Sequence, residues 1–374
     1  MVKKILYIMS NEPVGGVGTV VKNYQSHFHR EKIKIDFIIF DPREDTPFNR
    51  TVKEMGAAVY TFPLLSLKNI VKIIILLQKF YKAHQGEYEI VHVHSPNIAW
   101  MCFWRAEHYG IKYRIVHSHS TLYSNKKIKA IRNKILCVPI KYLANIYMAC
   151  SKAAGEFLYG KKNINKVIVV RNAIDCSKYR YDTQTRKRVR KELKLENKIV
   201  IGHVGHFNKE KNHTFLIDIF EQALQMRQDI VLVLAGEGSL KEFIIKKVKE
   251  KGLEEKVLFL GIRNDVNELL QAMDVLMLPS LFEGVPVTGI EAQAAGLPCI
   301  MSTNVSEEFN VGFISYLDLS ESPKIWAEKI FEQYGSTDRM KGAELVAKAG
   351  YDINIEAGKL EKFYLQLYDK GEYT

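Results

Sequence analysis

The chain has 374 residues, 47% of them hydrophobic and 26% charged, with a formal net charge of +12. These values exclude a disordered or fibrous chain and give two or three domains on a soft prior of ~150 residues each. The longest apolar run, IIILL from Ile73 to Leu77, is far short of the ~20 residues that a membrane span needs.

The N-terminal MVKKILYIMS is basic and then apolar, but it runs into NEPVGG with no small-residue cleavage pattern. It reads as a first strand and not as a signal peptide. Five scattered cysteines without a C-x-x-C pair suggest reduced, mostly buried thiols in a cytoplasmic protein. Charge divides the chain. Residues 1–180 hold 29 Lys+Arg against 12 Asp+Glu, and the remainder 25 against 30. A basic front half implies a partner such as an anionic lipid surface, a phosphate-bearing substrate or nucleic acid.

Strand-like runs alternate with helical patterns. KILYIM, KIDFIIF, AAVYTF, YEIVHVH, YRIVHSH, IYMAC and KVIVV form a first series; KIVIGHVG, IVLVLAG, KVLFLG, DVLMLP and PCIMS form a second. Between them lie segments such as NIVKIIILLQKFYKAH and HTFLIDIFEQALQM with apolar residues at helical spacing. This alternation predicts βαβ units and two doubly wound parallel-sheet α/β domains in tandem. The charged run from Lys178 to Lys198 places the junction, giving domains at 1–180 and 198–353, with residues 354–374 as a C-terminal helix. Ligands of such sheets bind beyond the carboxyl ends of the strands, so the informative residues should follow strands immediately.

After the first strand, Gly15, Gly16 and Gly18 sit at the turn into a helix, where a phosphate could approach backbone N–H groups. A dinucleotide fingerprint would place its third glycine where Val21 stands; Asp36 lies at a plausible distance for a ribose acid, which keeps a dehydrogenase open. Two strands end in H-x-H, His92 with His94 and His117 with His119. Each pair shares one face, so four rings could surround a metal, although no acidic cluster or cysteine completes a set. The preferred reading is one histidine projecting from a strand end to hydrogen-bond a sugar, with VHSHST offering His119 beside Ser120 and Thr121.

KKIKAIRNKILCVPIK, from Lys126 to Lys141, interleaves cations with Ile, Leu and Val. Such a helix either packs on its own domain or lies on an anionic membrane surface. Nothing resembles a nucleic-acid module. The second domain opens with IGHVGHFNKEKNHTFLI, where Lys211 near a helix N-terminus opposes the helix dipole unless it meets an anion. LAGEGSLKEF, with Gly236 and Gly238, and GIRNDVNELL are further strand-to-helix turns. Finally, SLFEGVPVTGIEAQAAG sets Glu283 in a loop and Glu291 on a helix that starts near Pro286 and stops at Gly296. The two carboxylates read as holding different parts of one extended ligand and not as a glycosidase pair across one bond.

Together these segments resemble the retaining nucleotide-sugar glycosyltransferases of family four, with the GT-B fold of two Rossmann-like domains, over essentially the whole length. The likeness is nearest the bacterial capsular and exopolysaccharide branch. EGVPVTGIE is the specific motif; the glycine loop and VGHFNKEKN support it. The resemblance implies a cleft between the domains and no divalent metal or other cofactor. It implies that Glu283 holds donor-sugar hydroxyls and Glu291 the nucleotide ribose, while Gly284, Val285, Pro286, Val287 and Thr288 offer backbone groups to sugar and phosphate. Lys211 would neutralise the diphosphate, joined by Gly15 and Gly16; Gly236 would belong to the donor site, Arg263 and Asn264 would line the base, and His119 would approach the reacting carbon. The family usually pairs the lysine with an arginine five residues earlier, where this chain has His206. The expected reaction moves a hexose or hexosamine from a nucleoside diphosphate sugar, UDP preferred, to a saccharide acceptor carried on a polyprenyl diphosphate. The expected place is the cytoplasm, peripheral to the inner face of the membrane. An NAD-dependent oxidoreductase, a non-catalytic saccharide-binding protein and a glycoside hydrolase are the competing readings.

Overall fold

Near-continuous runs of Val, Ile, Leu and Phe, which parallel strands buried on both faces require, form two sheets in this computed structural model. It describes residues 2–13, 15–66, 68–124 and 126–370. The chain divides into two units, one made of residues up to Ala173 together with the segment from Ile353, the other of Ile174–Asp352.

In the first unit seven strands are β1 (Lys3–Met9), β2 (Ile33–Ile39), β3 (Val59–Thr61), β4 (Ile90–Val93), β5 (Tyr113–Ser118), β6 (Ile146–Ala149) and β7 (Val167–Val169). All neighbours are parallel, in the order β3-β2-β1-β4-β5-β6-β7. Leu6, Ile8, Val91, Val93 and Val116 pack against Leu77, Phe80 and Tyr81 of the helix Ile70–Ala83. The helix Ile353–Lys370 completes this unit. Its Tyr364 is fully buried, with its hydroxyl 2.7 Å from that of Tyr7 and 2.6 Å from His92 Nδ1.

The second unit repeats the plan. Its strands are β8 (Ile199–Val204), β9 (Ile230–Ala235), β10 (Val257–Gly261), β11 (Val275–Leu278), β12 (Cys299–Ser302) and β13 (Ile314–Leu317), ordered β10-β9-β8-β11-β12-β13 and all parallel. Ile201, Leu232, Met277 and Ile300 form its core with Phe220 and Trp326; each fully buried side chain of this size contributes ~1.5–3 kcal/mol. β13 is missing from the sequence-derived series because it is a short edge strand whose last three residues are only half-buried.

The unit boundary corrects the expected junction. The charged run does not hold the junction: residues 174–198 belong to the second unit. Within it the helix Thr183–Glu192 is fastened by Arg186 and Arg190, both paired with the buried Asp274. Arg186 also donates to the carbonyls of Gln271 and Met273. The last expected boundary moves by one residue, to Asp352/Ile353.

In both sheets the first strand of the unit has its second strand on one side and a later one on the other. That reversal, between β1 and β4 and between β8 and β11, is where open α/β sheets bind ligands.

Candidate active site

The second unit brings its sequence-singled residues to this reversal. β8 leads into Gly205–Asn212 and then the helix His213–Met226; β11 leads into Pro279–Pro286 and then the helix Val287–Ala294. Lys211 Nζ and Glu283 Oε1 form an ion pair across these two loops, both side chains nearly buried at 14% and 15% exposure. Ser280 Oγ donates to the same Glu283 oxygen at 3.1 Å, and the Leu281 N–H donates to the Glu210 carbonyl at 2.8 Å. Glu283 thus supplies the negative charge that Lys211 needs at a helix start. Its own backbone is pinned by an N–H donated to the Asn304 carbonyl at 3.2 Å.

Glu291 has different partners. It is buried at 7% exposure, and Tyr179 OH donates to its Oε1 at 2.6 Å. Burial pushes its carboxyl above the usual range, opposed by the Tyr179 hydrogen bond and the charge of Lys178. Glu283 and Glu291 are therefore held by different partners. Between them the helix Val287–Ala294 begins at Pro286 with no side-chain cap and no acid in its first turn. Its leading N–H groups, near Val287 and Thr288, are oriented for an anion. Gly284 is engaged through its carbonyl, which accepts from Ser306 N–H at 3.3 Å; Val285, Pro286 and Val287 are buried.

Gly236 closes the floor of this half-site. A Cβ there would lie 2.0 Å from the Gly205 carbonyl oxygen, and its φ of 145° is one that side chains rarely adopt. His206 Nδ1 donates to the Glu237 carbonyl at 3.2 Å. When the ring is neutral its Nε2 carries no proton, and a phosphate oxygen would have to bring one. Arg263 is engaged by Asp265, with Nε to Oδ1 at 2.7 Å, and Asn264 is exposed.

The first unit carries the glycine loop and the histidines. Gly15, with φ of 89°, precedes the helix Gly16–His27, which likewise lacks a side-chain cap and a first-turn acid. Gly18 is required by close approach, since a Cβ there would sit 1.9 Å from the Pro13 carbonyl oxygen. The register of β4 and β5 sets His92 opposite Ile115 and Val93 opposite Val116, which brings His94 and His117 alongside one another. All four rings form one stacked group: His117–His119 centroids are 4.0 Å apart and His92–His94 4.2 Å. His94 Nδ1 lies 3.0 Å from His119 Nε2. Burial pushes all four imidazoles down, His119 to about 4. They are neutral at pH 7, so His119 can exchange hydrogen bonds there but cannot act as an acid.

His92, His94 and His117 place nitrogens within 4.8 Å of one another, an imidazole-only set. Two of those rings already spend Nδ1 on Tyr364 and on His119. Asp36, the residue on which a dinucleotide reading depended, is 1% exposed. It accepts from Ala58 N–H at 2.7 Å and Tyr88 OH at 2.8 Å, so it braces the sheet and is closed to a ribose.

Two Rossmann-type units, one with a Lys–Glu pair and an uncapped helix start at its strand reversal, define the GT-B class. The model for "Glycosyltransferase Family 4" matches residues 14–178 and that for "Glycosyl transferases group 1" matches residues 184–308. The putative glycosyltransferase EpsF of Bacillus subtilis is 29% identical over 97% of this chain and 96% of its own length. The UDP-Gal:alpha-D-GlcNAc-diphosphoundecaprenol alpha-1,3-galactosyltransferase of Escherichia coli is 28% identical over 64% of this chain and 63% of its own. The crystal structure of Anabaena Alr3699/HepE in complex with UDP superposes with a TM-score of 0.78 at 19% identity, covering 98% of this chain and 100% of that one. The chain belongs to glycosyltransferase family four.

Tyr179 and Ser280 were not anticipated as partners of the two glutamates. Tyr179 lies 112 positions from Glu291 in a charged run without strand signal, and no local pattern announces such a pair.

Proposed function

We propose that this glycosyltransferase moves a hexose or hexosamine from a UDP-linked donor to a saccharide carried on a polyprenyl diphosphate, with retention, in capsule or exopolysaccharide synthesis. The observation that carries the reading is the Lys211–Glu283 pair beside the uncapped helix start at Val287. A diphosphate meets a cation and free N–H groups there, and sugar hydroxyls meet a carboxylate. The UDP named with HepE and the diphosphoundecaprenol named for the Escherichia coli relative support the two substrate classes.

In the proposed reaction the acceptor hydroxyl oxygen bonds to the anomeric carbon as its bond to the diphosphate breaks. The departing phosphate oxygen takes the acceptor proton on the same face. Lys211 and the helix N–H groups stabilise the charge that develops on the diphosphate, a contribution of ~2.7–4 kcal/mol per well-placed donor. This positive charge is the part a divalent ion would otherwise supply, so the proposal includes no resident metal. Neutral His119 hydrogen-bonds the reacting sugar, and Glu291 with Tyr179 holds the ribose.

Peripheral contact with an anionic membrane belongs to the same reading. On the helix Lys127–Cys137 and the turn and short helix Ile140–Leu143 after it, Ile128, Ile131, Ile135, Val138 and Tyr142 are all exposed, from 54% to 83%. Their spacing puts them on one face, among Lys126, Lys127, Lys129, Arg132 and Lys134. No helix among the described residues is long and apolar enough to cross a membrane. A thermal-shift panel of UDP, GDP, ADP, CMP and NAD tests the donor claim: UDP should stabilise and NAD should not. No shift with any nucleotide would sink it. Anomeric analysis of the product tests retention, and sedimentation with anionic against neutral vesicles tests the membrane claim.

A further inference from the structure

Two adjoining cavities in the first unit have no role so far. One, of about 150 Å³, is lined by His94, Asn97, His119 and Ser120 and walled by Tyr123, Cys137 and Leu158. The other, of about 230 Å³, shares those three wall residues and adds Lys134, Val138, Lys141 and Tyr159. Neither lining contains a carboxylate, and no acidic residue occurs between Glu107 and Glu156. Lys134 and Lys141 have no ion-pair partner among the described residues, and Val138 is also part of the exposed apolar stripe. His94, 7% exposed, lines the first cavity with its Nε2 lacking any hydrogen-bond partner.

Three chemistries therefore follow one another: an exposed apolar stripe, a cavity with two unpaired lysines, and a cavity with imidazoles, a hydroxyl and an amide. A prenyl diphosphate saccharide has the same order, with tail, diphosphate and sugar hydroxyls. We propose that the two cavities are one acceptor track, with Lys134 and Lys141 gripping the lipid diphosphate and the His94 end receiving the acceptor sugar. The inference rests on the lipid-linked acceptor reading above and gives it a location. A lysine grips a phosphate as a compact charge with three donors, and both cations line the second cavity together with Val138 of the exposed stripe. Tyr123, Cys137 and Leu158 line both cavities, which is where the two adjoin.

The probe is farnesyl diphosphate, soluble without vesicles, titrated calorimetrically into the protein saturated with UDP so that the donor site is filled. The wild-type protein should bind it, and the double variant Lys134→Gln/Lys141→Gln should bind at least about tenfold more weakly, one lost charge-assisted contact being of that size. Farnesol should bind weakly to both proteins, because it lacks the diphosphate. An unchanged affinity in the double variant, or no binding by the wild type at millimolar ligand, overturns the track. The melting temperature of the variant and its shift with UDP are measured alongside. A variant that melts normally and is stabilised by UDP separates failure of the track from failure of the glycosyltransferase reading, in which UDP itself gives no shift.

Discussion

Neutralising Glu283 and removing the Lys211 cation should change nucleotide binding in opposite directions. The two are paired and nearly buried, so in the free protein Glu283 occupies the cation that the proposed function assigns to the diphosphate. A pair of this exposure lies between surface pairs, worth up to ~1 kcal/mol, and buried ones, whose breakage costs ~3–5 kcal/mol. A net coupling of about 1–2 kcal/mol follows. Glu283→Gln keeps the shape and releases Lys211, so UDP should bind about five- to thirtyfold more tightly. Lys211→Met removes a charge-assisted phosphate contact and should weaken UDP by about tenfold or more. Turnover separates the variants from simple affinity effects: hydrolysis of the UDP-sugar should fall by about 10²-fold or more in both. Calorimetric titration of UDP into wild type, the two single variants and the double variant measures the coupling directly. If Glu283→Gln weakened UDP as much as Lys211→Met does, Glu283 would not be competing with the diphosphate, and the assignment of the pair would fall.

Stability should drop steeply on acidification. His92, His94 and His117 are held well below 6.5 and His119 at about 4 by burial. Between pH 6.5 and 4 the unfolded chain therefore binds more protons than the folded one, and stability is lost as pH falls at about 1.4 kcal/mol per pH unit per histidine; a melting temperature that is flat from pH 7 to 5 would contradict this. Tyr179→Phe should cost about 1–2 kcal/mol, with the loss growing as pH rises, because the burial-raised carboxyl of Glu291 must ionise without its donor. Denaturant melts at pH 5 and 8 show whether the penalty has that sign. Gly236→Ala, with its Cβ 2.0 Å from the Gly205 oxygen, should cost ~2–3 kcal/mol or more and weaken UDP in titration. Transfer activity should survive EDTA; loss restored only by a divalent cation would refute the metal-free mechanism.

The two sheets were legible because their strands are apolar on both faces, and runs such as KIDFIIF and IVLVLA admit few other folds. β13 escaped because an edge strand exposes half its residues and shows no such run. The Lys178–Lys198 run read as the domain junction because charge density is a local property, whereas the pairing of Arg186 and Arg190 with Asp274 spans more than eighty residues. At the site, Glu283 and Glu291 announced themselves by falling on opposite sides of a helix start. Their actual partners, Lys211 and Tyr179, come from distant segments. The two H-x-H pairs marked a group, but only the strand register shows that the four rings stack and stay neutral.

The first unit is built from both ends of the chain, since Tyr364 seals a core otherwise made by residues before Ala173. The second unit, contiguous from Ile174 to Asp352, even joins its first and last residues in a parallel bridge. During synthesis, therefore, the second unit is complete while the first, which already has all its strands, still lacks its last helix. The early-translated sheet lacks the partner of Tyr7 and His92 until the helix Ile353–Lys370 has left the ribosome, so the N-terminal unit is the last to be completed.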